Sequence, residues 1–220
     1  MSSKKTQRIK PSLAGLETLL AHHGVTLNQQ SLEQIWAYHK LIRENNGDGD
    51  LTRLRAFETM VERHYADCTL INALIKDWPK RMVDIGSGAG FPGIPLKIVN
   101  PQIQLTLCEP RPKRVDFLNM VIDKLKLENI DVFGHKVTSN SLDFPVDGVI
   151  SRAFENMHKT ILRIENSLKV GGKAIFMKGP AAKEELEEPL DPRYEVEIAE
   201  FYTIPNSTQE RSLIVLKRNT

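Results

Sequence analysis

Apolar residues in the first third of the chain recur with a helical period. Leu13, Leu16, Leu19 and Leu20 fall on one face, as do Leu32, Ile35, Trp36 and Ile42, the three- and four-residue spacing of an amphipathic helix. Residues 12–78 therefore read as helical. The polar cluster Asn45-Asn46-Gly47-Asp48-Gly49-Asp50 has turn composition and is expected to break this region in two. A further helix is predicted from about Phe57 to Ile75, and Trp78-Pro79 closes the segment.

From residue 81 the rhythm changes to short apolar runs. These are Met82–Ile85, Ile103–Cys108, Ile130–Phe133, Gly148–Ile150 and Ala174–Met177. Helical patterns lie between them, the clearest being Val115, Leu118, Val121, Ile122 and Leu125. Strands that alternate with helices imply βαβ units and a doubly wound, mostly parallel α/β sheet. After residue 192 the pattern predicts two strands, Tyr194–Tyr202 and Ser212–Leu216, joined by a loop at Pro205–Thr208. They are expected to add an antiparallel pair to the sheet. The organisation predicted is a helical extension or lid over residues 1–79 and an α/β domain over 80–220.

Composition narrows the function classes. With 40% hydrophobic and 26% charged residues in 220, the chain is long enough for one good-sized domain with a small extension. No apolar run approaches the length of a bilayer span. The basic start, Met1 to Lys10, is followed by no apolar core, so it is read as an unstructured end and not as a secretion signal, with contact to a polyanion as the alternative. A net charge of +2 is too small to announce nucleic acid, so any RNA-binding face must come from local clustering. Cys68 and Cys108 form no CxxC pair and no zinc spacing with the six histidines; no metal site is expected, Cys108 reads as a buried small hydrophobe, and a cytoplasmic setting fits.

The chemistry-bearing motif is Val83-Asp84-Ile85-Gly86-Ser87-Gly88-Ala89-Gly90-Phe91, which joins the first strand to the next helix. Glycines there permit positive φ and let a ligand approach bare backbone. A dinucleotide fingerprint would place a glycine at position 91, where Phe91 stands. The pattern D-x-G-x-G-x-G resembles instead the first motif of class I methyltransferases, whose ligand is S-adenosylmethionine. An aspartate beside the loop suits a sulfonium cation and an ammonium group, whereas a pyrophosphate seeks a helix N-terminus. A tight turn with no ligand is the plain alternative. Glu109 ends the second strand, where doubly wound folds place a carboxylate on ribose hydroxyls; alone it would read as a solvated acid, but the glycine loop accompanies it.

A closer resemblance rests on Asp84–Leu96 with its run Gly-Phe-Pro-Gly-Ile-Pro-Leu, on Lys113–Leu118, on Leu127–Ile130 and on Asp147–Ala153 with its Ser-Arg-Ala. These segments resemble the RsmG (GidB) family, which methylates N7 of a guanine in the decoding-region loop of bacterial 16S rRNA. The likeness runs from about Asp50 to the C-terminus. It implies a class I, Rossmann-like fold in which Gly86 and Phe91 contact S-adenosylmethionine, Val137 and Thr138 sit beside the adenine, and Arg152 belongs to the active site. Arg63 and His64 match the family's basic pair before an aspartate, here Asp67, and Lys178-Gly179 matches its lysine-glycine after the fifth strand. The implied partner is 16S rRNA in the small ribosomal subunit or its precursor, with no membrane and a monomeric enzyme. Departures are Thr138 in place of a usual Glu, Asp50-Leu51-Thr52 in place of Asn-Leu-Thr, and Cys68 in place of a usual Ser.

Guanine N7 carries an available lone pair, so alignment and electrostatics suffice for its methylation without a strong base. The sequence lacks the Asp/Asn-Pro-Pro-Tyr motif of exocyclic-amine methyltransferases and the Pro-Cys context of cytosine-C5 enzymes. Arg152 is a candidate for the cofactor carboxylate, a phosphate or the guanine edge, with a structural salt bridge as its alternative. Phe154 is a candidate for base stacking or for the core. Arg63, His64, Arg114 and Lys178 are candidate RNA contacts, while Arg111 reads as a solvated helix start; being adjacent, Arg63 and His64 are expected to send only one side chain to a substrate. Competing readings are a ribose 2′-O-methyltransferase, with Lys178 in a Lys-Asp-Lys-Glu set, a non-catalytic S-adenosylmethionine- or RNA-binding protein, and a small-molecule methyltransferase.

Overall fold

The structure is a computed structural model that describes residues 9–220; the basic start of the chain, up to Arg8, lies outside them. Four helices come first: α1 (Leu13–His22), α2 (Gln29–Gly49), α3 (Phe57–Met60) and α4 (Asp67–Leu74), the last two fused through a π-helical turn at Val61–Ala66. Side-chain caps start the first two, Ser12 accepting from the Gly15 amide and Asn28 from the Ser31 amide. The expected break at Asn45–Asp50 is displaced: α2 runs on to Gly49 and ends at Asp50, with φ 44°. Side-chain hydrogen bonding to the segment just beyond overrides the poor helix propensity of this stretch. Buried Asn46 donates from Nδ2 to the Thr52 carbonyl and accepts at Oδ1 from the Leu51 and Thr52 amides. One helical side chain thus satisfies the backbone of the segment that follows, and the break moves to Asp50–Ala56.

The sheet is built from β1 (Arg81–Ile85), β2 (Gln104–Cys108), β3 (Ile130–Phe133), β4 (Val146–Arg152), β5 (Leu168–Lys178), β6 (Tyr194–Thr203) and β7 (Glu210–Arg218). Between them lie α5 (Gly93–Val99), α6 (Pro112–Leu125), α7 (Met157–Ile164) and α8 (Ala182–Glu187). Spatial order is β3-β2-β1-β4-β5-β7-β6. The first five strands are parallel, and β7 pairs antiparallel with both β5 and β6. This is the doubly wound sheet with a C-terminal antiparallel pair that the strand spacing predicts. No helix among the described residues is long and apolar enough to cross a membrane.

Alternation along the strands divides the core in two. Met82, Leu105, Leu107, Ile150, Ile175, Met177, Leu213 and Val215 face α1, α2, the Phe57–Leu74 helix, α5 and α6 in one cluster. Val83, Ile85, Cys108, Val149, Ala174, Phe176, Ile214 and Leu216 face α7, α8 and Val137–Leu142 in the other. The N-terminal helices therefore share a continuous apolar core with one face of the sheet. Strand β4 carries Arg152 to the same face as Ile150, toward those helices.

If this core is continuous, the helices and the sheet unfold together. Replacing the fully buried Ile35 with Ala should cost about 2–5 kcal/mol and lower a single denaturation midpoint, seen alike by far-UV circular dichroism and tryptophan emission. A separate early transition for the helices, with the sheet midpoint unchanged, would show them to be an independent unit.

Candidate methyl-transfer site

In a doubly wound sheet, ligands bind outside the carboxyl ends of the strands where the strand order reverses. Here the reversal lies between β1 and β4, and a cavity of about 470 Å³ opens there. Its walls come from the loop after β1 (Gly86–Ala89, Phe91), the ends of β4 (Arg152, Ala153) and β5 (Met177–Gly179), and His64, Asp67 and Arg211.

The loop is fastened from below. Both Gly86 and Ser87 donate their amides to the Cys108 carbonyl, and Ser87 Oγ donates to the Asp84 carbonyl. Asp84 is fully buried and accepts from the Gly93 amide at Oδ2. Its Oδ1 has no hydrogen-bond partner among the described residues, and burial pushes its pKa up to about 7. Glu109 accepts from the Gly88 amide at Oε2 (3.0 Å) and from the Arg111 amide at Oε1 (2.9 Å). A further fastening comes from the N-terminal helices, where the buried Tyr38 hydroxyl donates to the Ala89 carbonyl at 2.5 Å.

The glycines of the motif have different tasks. A Cβ at Gly90 would meet Ile94 at 2.5 Å and the Tyr38 hydroxyl at 2.8 Å, and one at Gly86 would meet the Phe154 ring at 2.5 Å. Those two are glycine because the protein itself packs against them. At Gly88, with φ +59°, a Cβ would make only ordinary contact, with Arg114 Nη1 at 3.7 Å and the Gly86 carbonyl at 3.9 Å, so the protein itself leaves room there. An open Gly88 and an unpartnered carboxylate oxygen beneath the loop fit a ligand with a cationic centre, as S-adenosylmethionine has; added positive charge there would favour ionised Asp84.

Beside the loop stands a buried charge cluster. Arg152 donates from Nη1 to the Arg63 carbonyl (2.9 Å) and to Asp67 Oδ2 (3.4 Å), and from Nη2 to His64 Nδ1 (3.1 Å). Arg211 donates from Nε to Asp67 Oδ1 (3.1 Å), so one carboxylate holds two guanidinium groups. Because Nδ1 accepts, the proton of His64 resides on Nε2, 2.9 Å from Thr52 Oγ1. The His64 ring also stacks on Phe91, with centroids 4.2 Å apart and planes 21° apart. Burial first, then Arg152, lowers its pKa to about 3.

Of the residues singled out in the sequence, Gly86, Gly88, Phe91, His64, Arg152 and Lys178 line the cavity. Asp84, Gly90 and Glu109 lie behind the loop as its supports. Arg63 contributes its carbonyl to Arg152, and of that pair His64 lines the cavity. Val137 and Thr138 do not reach the cavity: the Val137 carbonyl accepts from Arg163, and both backbone polar groups of Thr138 bond the Ser141 hydroxyl. Arg114 and Lys178 are committed internally. Arg114 donates to the Asp50 carbonyl and approaches Glu109 at 3.9 Å, and Lys178 donates to the Glu155 carbonyl and Glu185. Phe154 covers Gly86, Arg111 is solvated as expected, and both cysteines are buried. Sequence reasoning missed Tyr38 and Arg211. Neither belongs to a motif; Tyr38 shows only as one apolar position among many in α2, and Arg211 has no local signal.

Two outcomes test this geometry. Gly88→Val should leave the protein folded but abolish binding of S-adenosylmethionine in calorimetry, through added side-chain atoms and strain at positive φ; undiminished affinity would remove the loop from the site. His64 should stay neutral, with its proton on Nε2, in ring-nitrogen NMR spectra down to about pH 3. Since its folded pKa lies below the unfolded 6.5, the unfolded state takes the proton first; its contribution to stability is full above pH 6.5 and is lost as pH falls toward 3. A His64 that titrates near 6.5 would contradict the Arg152 hydrogen bond.

Both the fold and the sequence have known relatives. Among solved structures the fold is similar to MtNAS bound to S-adenosylmethionine (TM-score 0.56, 15% identity, 94% of this chain and 78% of that one). It is similar also to a ribosomal protein L11 methylase from Lactobacillus delbrueckii subsp. bulgaricus (TM-score 0.54, 11% identity, 72% and 79%). These likenesses show the class I methyltransferase fold. In sequence, the chain is 41% identical over 207 residues to ribosomal RNA small subunit methyltransferase G 2 of Syntrophobacter fumaroxidans, covering 92% of this chain but only 41% of that longer protein. It is 34% identical to ribosomal RNA small subunit methyltransferase G of Shigella flexneri, covering 93% of this chain and 97% of that one. The profile of the GidB family, rRNA small subunit methyltransferase G, matches residues 31–215. With its glycine loop, Ser-Arg-Ala strand end and class I fold in place, the chain belongs to the GidB family of rRNA small subunit methyltransferases.

Proposed function

We propose that the chain transfers a methyl group from S-adenosylmethionine to N7 of one guanine in the decoding-region loop of bacterial 16S rRNA, leaving S-adenosylhomocysteine, and that it acts as a monomer on the small subunit or its precursor without a metal. One observation carries the choice of atom: every titratable side chain lining the cavity is already engaged. His64 has both ring nitrogens bonded, and Asp67 is shared by two arginines. Glu185 accepts from Lys178 at Oε1 and from the Met157 amide at Oε2. No group stands free to take a proton, and attack by N7 requires none.

The bound cosubstrate would supply a methyl carbon activated by its sulfonium. Gly86, Gly88 and Phe91 would hold it from the loop, with Asp84 beneath and Glu109 behind. Arg152, fixed in direction by Asp67 and the Arg63 carbonyl, would orient the guanine edge or a carboxylate by paired N–H donors. In this reading residues 1–79 are the extension that braces the loop of a methyltransferase domain at 80–220. Of the residues offered by the sequence as RNA contacts, Arg114 is tied to the Asp50 carbonyl and Lys178 to the Glu155 carbonyl and Glu185, while Arg63 lends its carbonyl to Arg152 and keeps its side chain as a candidate contact. The ribose 2′-O alternative asks Lys178 and an aspartate to activate a hydroxyl. Lys178 is paired with Glu185, and Asp147, at the far end of β4, is paired with Lys169.

N7 alkylation leaves a fixed charge on the purine and makes its ring open to borohydride reduction. Incubation with S-adenosylmethionine and small subunits from a strain lacking the enzyme, followed by borohydride and aniline, should give one new strand break at a single guanine. Arg152→Ala should remove it. Incorporated methyl without aniline-sensitive cleavage, but with alkali resistance at one linkage, would establish ribose methylation instead.

A further inference from the structure

A second cavity, of about 390 Å³, lies on the outer side of the N-terminal helices. Its walls carry Trp36, Lys40 and Arg43 from α2 and Arg55 from the segment after it, with Glu44 as the single acid. Three cations against one acid make this a positive groove in a protein whose overall charge is only +2. Lys40 and Arg55 are exposed, and neither side chain bonds to anything among the described residues. Arg43 is held across the groove by a hydrogen bond from Nη1 to the Arg55 carbonyl.

Trp36 is the second observation. Its ring is half-buried and stacked parallel to His39, with centroids 5.4 Å apart and planes 17° apart, and the edge of Phe57 braces it. Its indole N–H makes no hydrogen bond among the described residues. A rigid aromatic wall with a spare donor, flanked by unpaired cations, is the combination that holds unstacked nucleotides by base stacking and phosphate pairing. An acidic peptide would use the cations but not the platform.

Position links the groove to the methyl-transfer cavity. Leu51 lines that cavity and Arg55 lines the groove, and four residues of chain span at most about 14 Å. Thr52, between them, holds His64. On the groove's rim, Pro11 follows a sequence that contains Lys4, Lys5, Arg8 and Lys10 and no acid.

Resting on the reading of the chain as an rRNA methyltransferase, we propose that the Trp36–Lys40–Arg43–Arg55 groove binds a single-stranded stretch of the rRNA flanking the methylated guanine. It acts as an anchor separate from the catalytic cavity. Removing one cation that pairs with a phosphate should make the dependence of log affinity on log salt shallower by about 0.7–0.9.

The test uses the full chain and the double variant Lys40→Gln/Arg55→Gln, whose side chains hold nothing in the fold. Binding to unmethylated small subunits is titrated with salt, and steady-state methylation is measured in parallel. The expected result is a slope shallower by about 1.5, a KM for subunits raised at least fivefold, and kcat and S-adenosylmethionine affinity unchanged. In a Trp78→Phe background Trp36 is the sole tryptophan, and its emission should be quenched as RNA binds. An unaltered slope and KM in the double variant would overturn the proposal. A parent protein that binds RNA through this groove yet methylates nothing would keep the proposal and overturn the enzymatic reading; a parent that binds no RNA would overturn both.

Discussion

One buried carboxylate organises this molecule. Asp67 accepts from Arg152 of β4 through one oxygen and from Arg211 of β7 through the other, so a helix, a parallel strand and an antiparallel strand meet at one charge. Taking such charges from water is costly, and only complete hydrogen bonding offsets it. The π turn at Val61–Ala66 supplies part of that completion. It brings the Arg63 carbonyl and His64 Nδ1, from adjacent residues, onto the same guanidinium group. π turns are rare and tend to occur at functional sites. Burial raises the pKa of Asp67 while the two arginines lower it, and the first effect is the larger.

From that constraint the rest of the site follows. With the Phe57–Leu74 helix held against β4 and β7, α2 lies over the end of β1, where Tyr38 reaches the Ala89 carbonyl and packs against Phe91. The loop therefore has two supports of different origin, Asp84 and Glu109 from the sheet and Tyr38 from the helices. Gly90 is glycine because Ile94 of α5 and the Tyr38 hydroxyl both crowd it. The helical extension is thus part of the loop's foundation and also forms the wall that carries His64.

Much of this was legible in the sequence because it is local. The period change at residue 81, the glycine loop and the two C-terminal strands are short-range patterns, and the sheet forms where they place it. Longer-range facts were not legible. Even at short range, composition hides the bonds of Asn46 to the Leu51 and Thr52 backbone, with which the helix runs through Asn45–Gly49. Arg114 and Lys178 look like free surface cations, but their partners Asp50 and Glu185 are chosen by the fold. Arg211 is 144 residues from Asp67, a separation that no spacing rule encodes. Among basic residues, then, sequence identified the type needed at an RNA enzyme's surface without showing which ones are engaged inside.

The Gly88 face and Arg152 should bound a single methyl-transfer site. A crystal structure with S-adenosylhomocysteine tests it most directly. The product is expected in the cavity bounded by Gly86, Gly88, Phe91 and Arg152, with Arg152 still on Asp67 and Tyr38 still on Ala89. Product bound elsewhere, with that cavity empty, would contradict it.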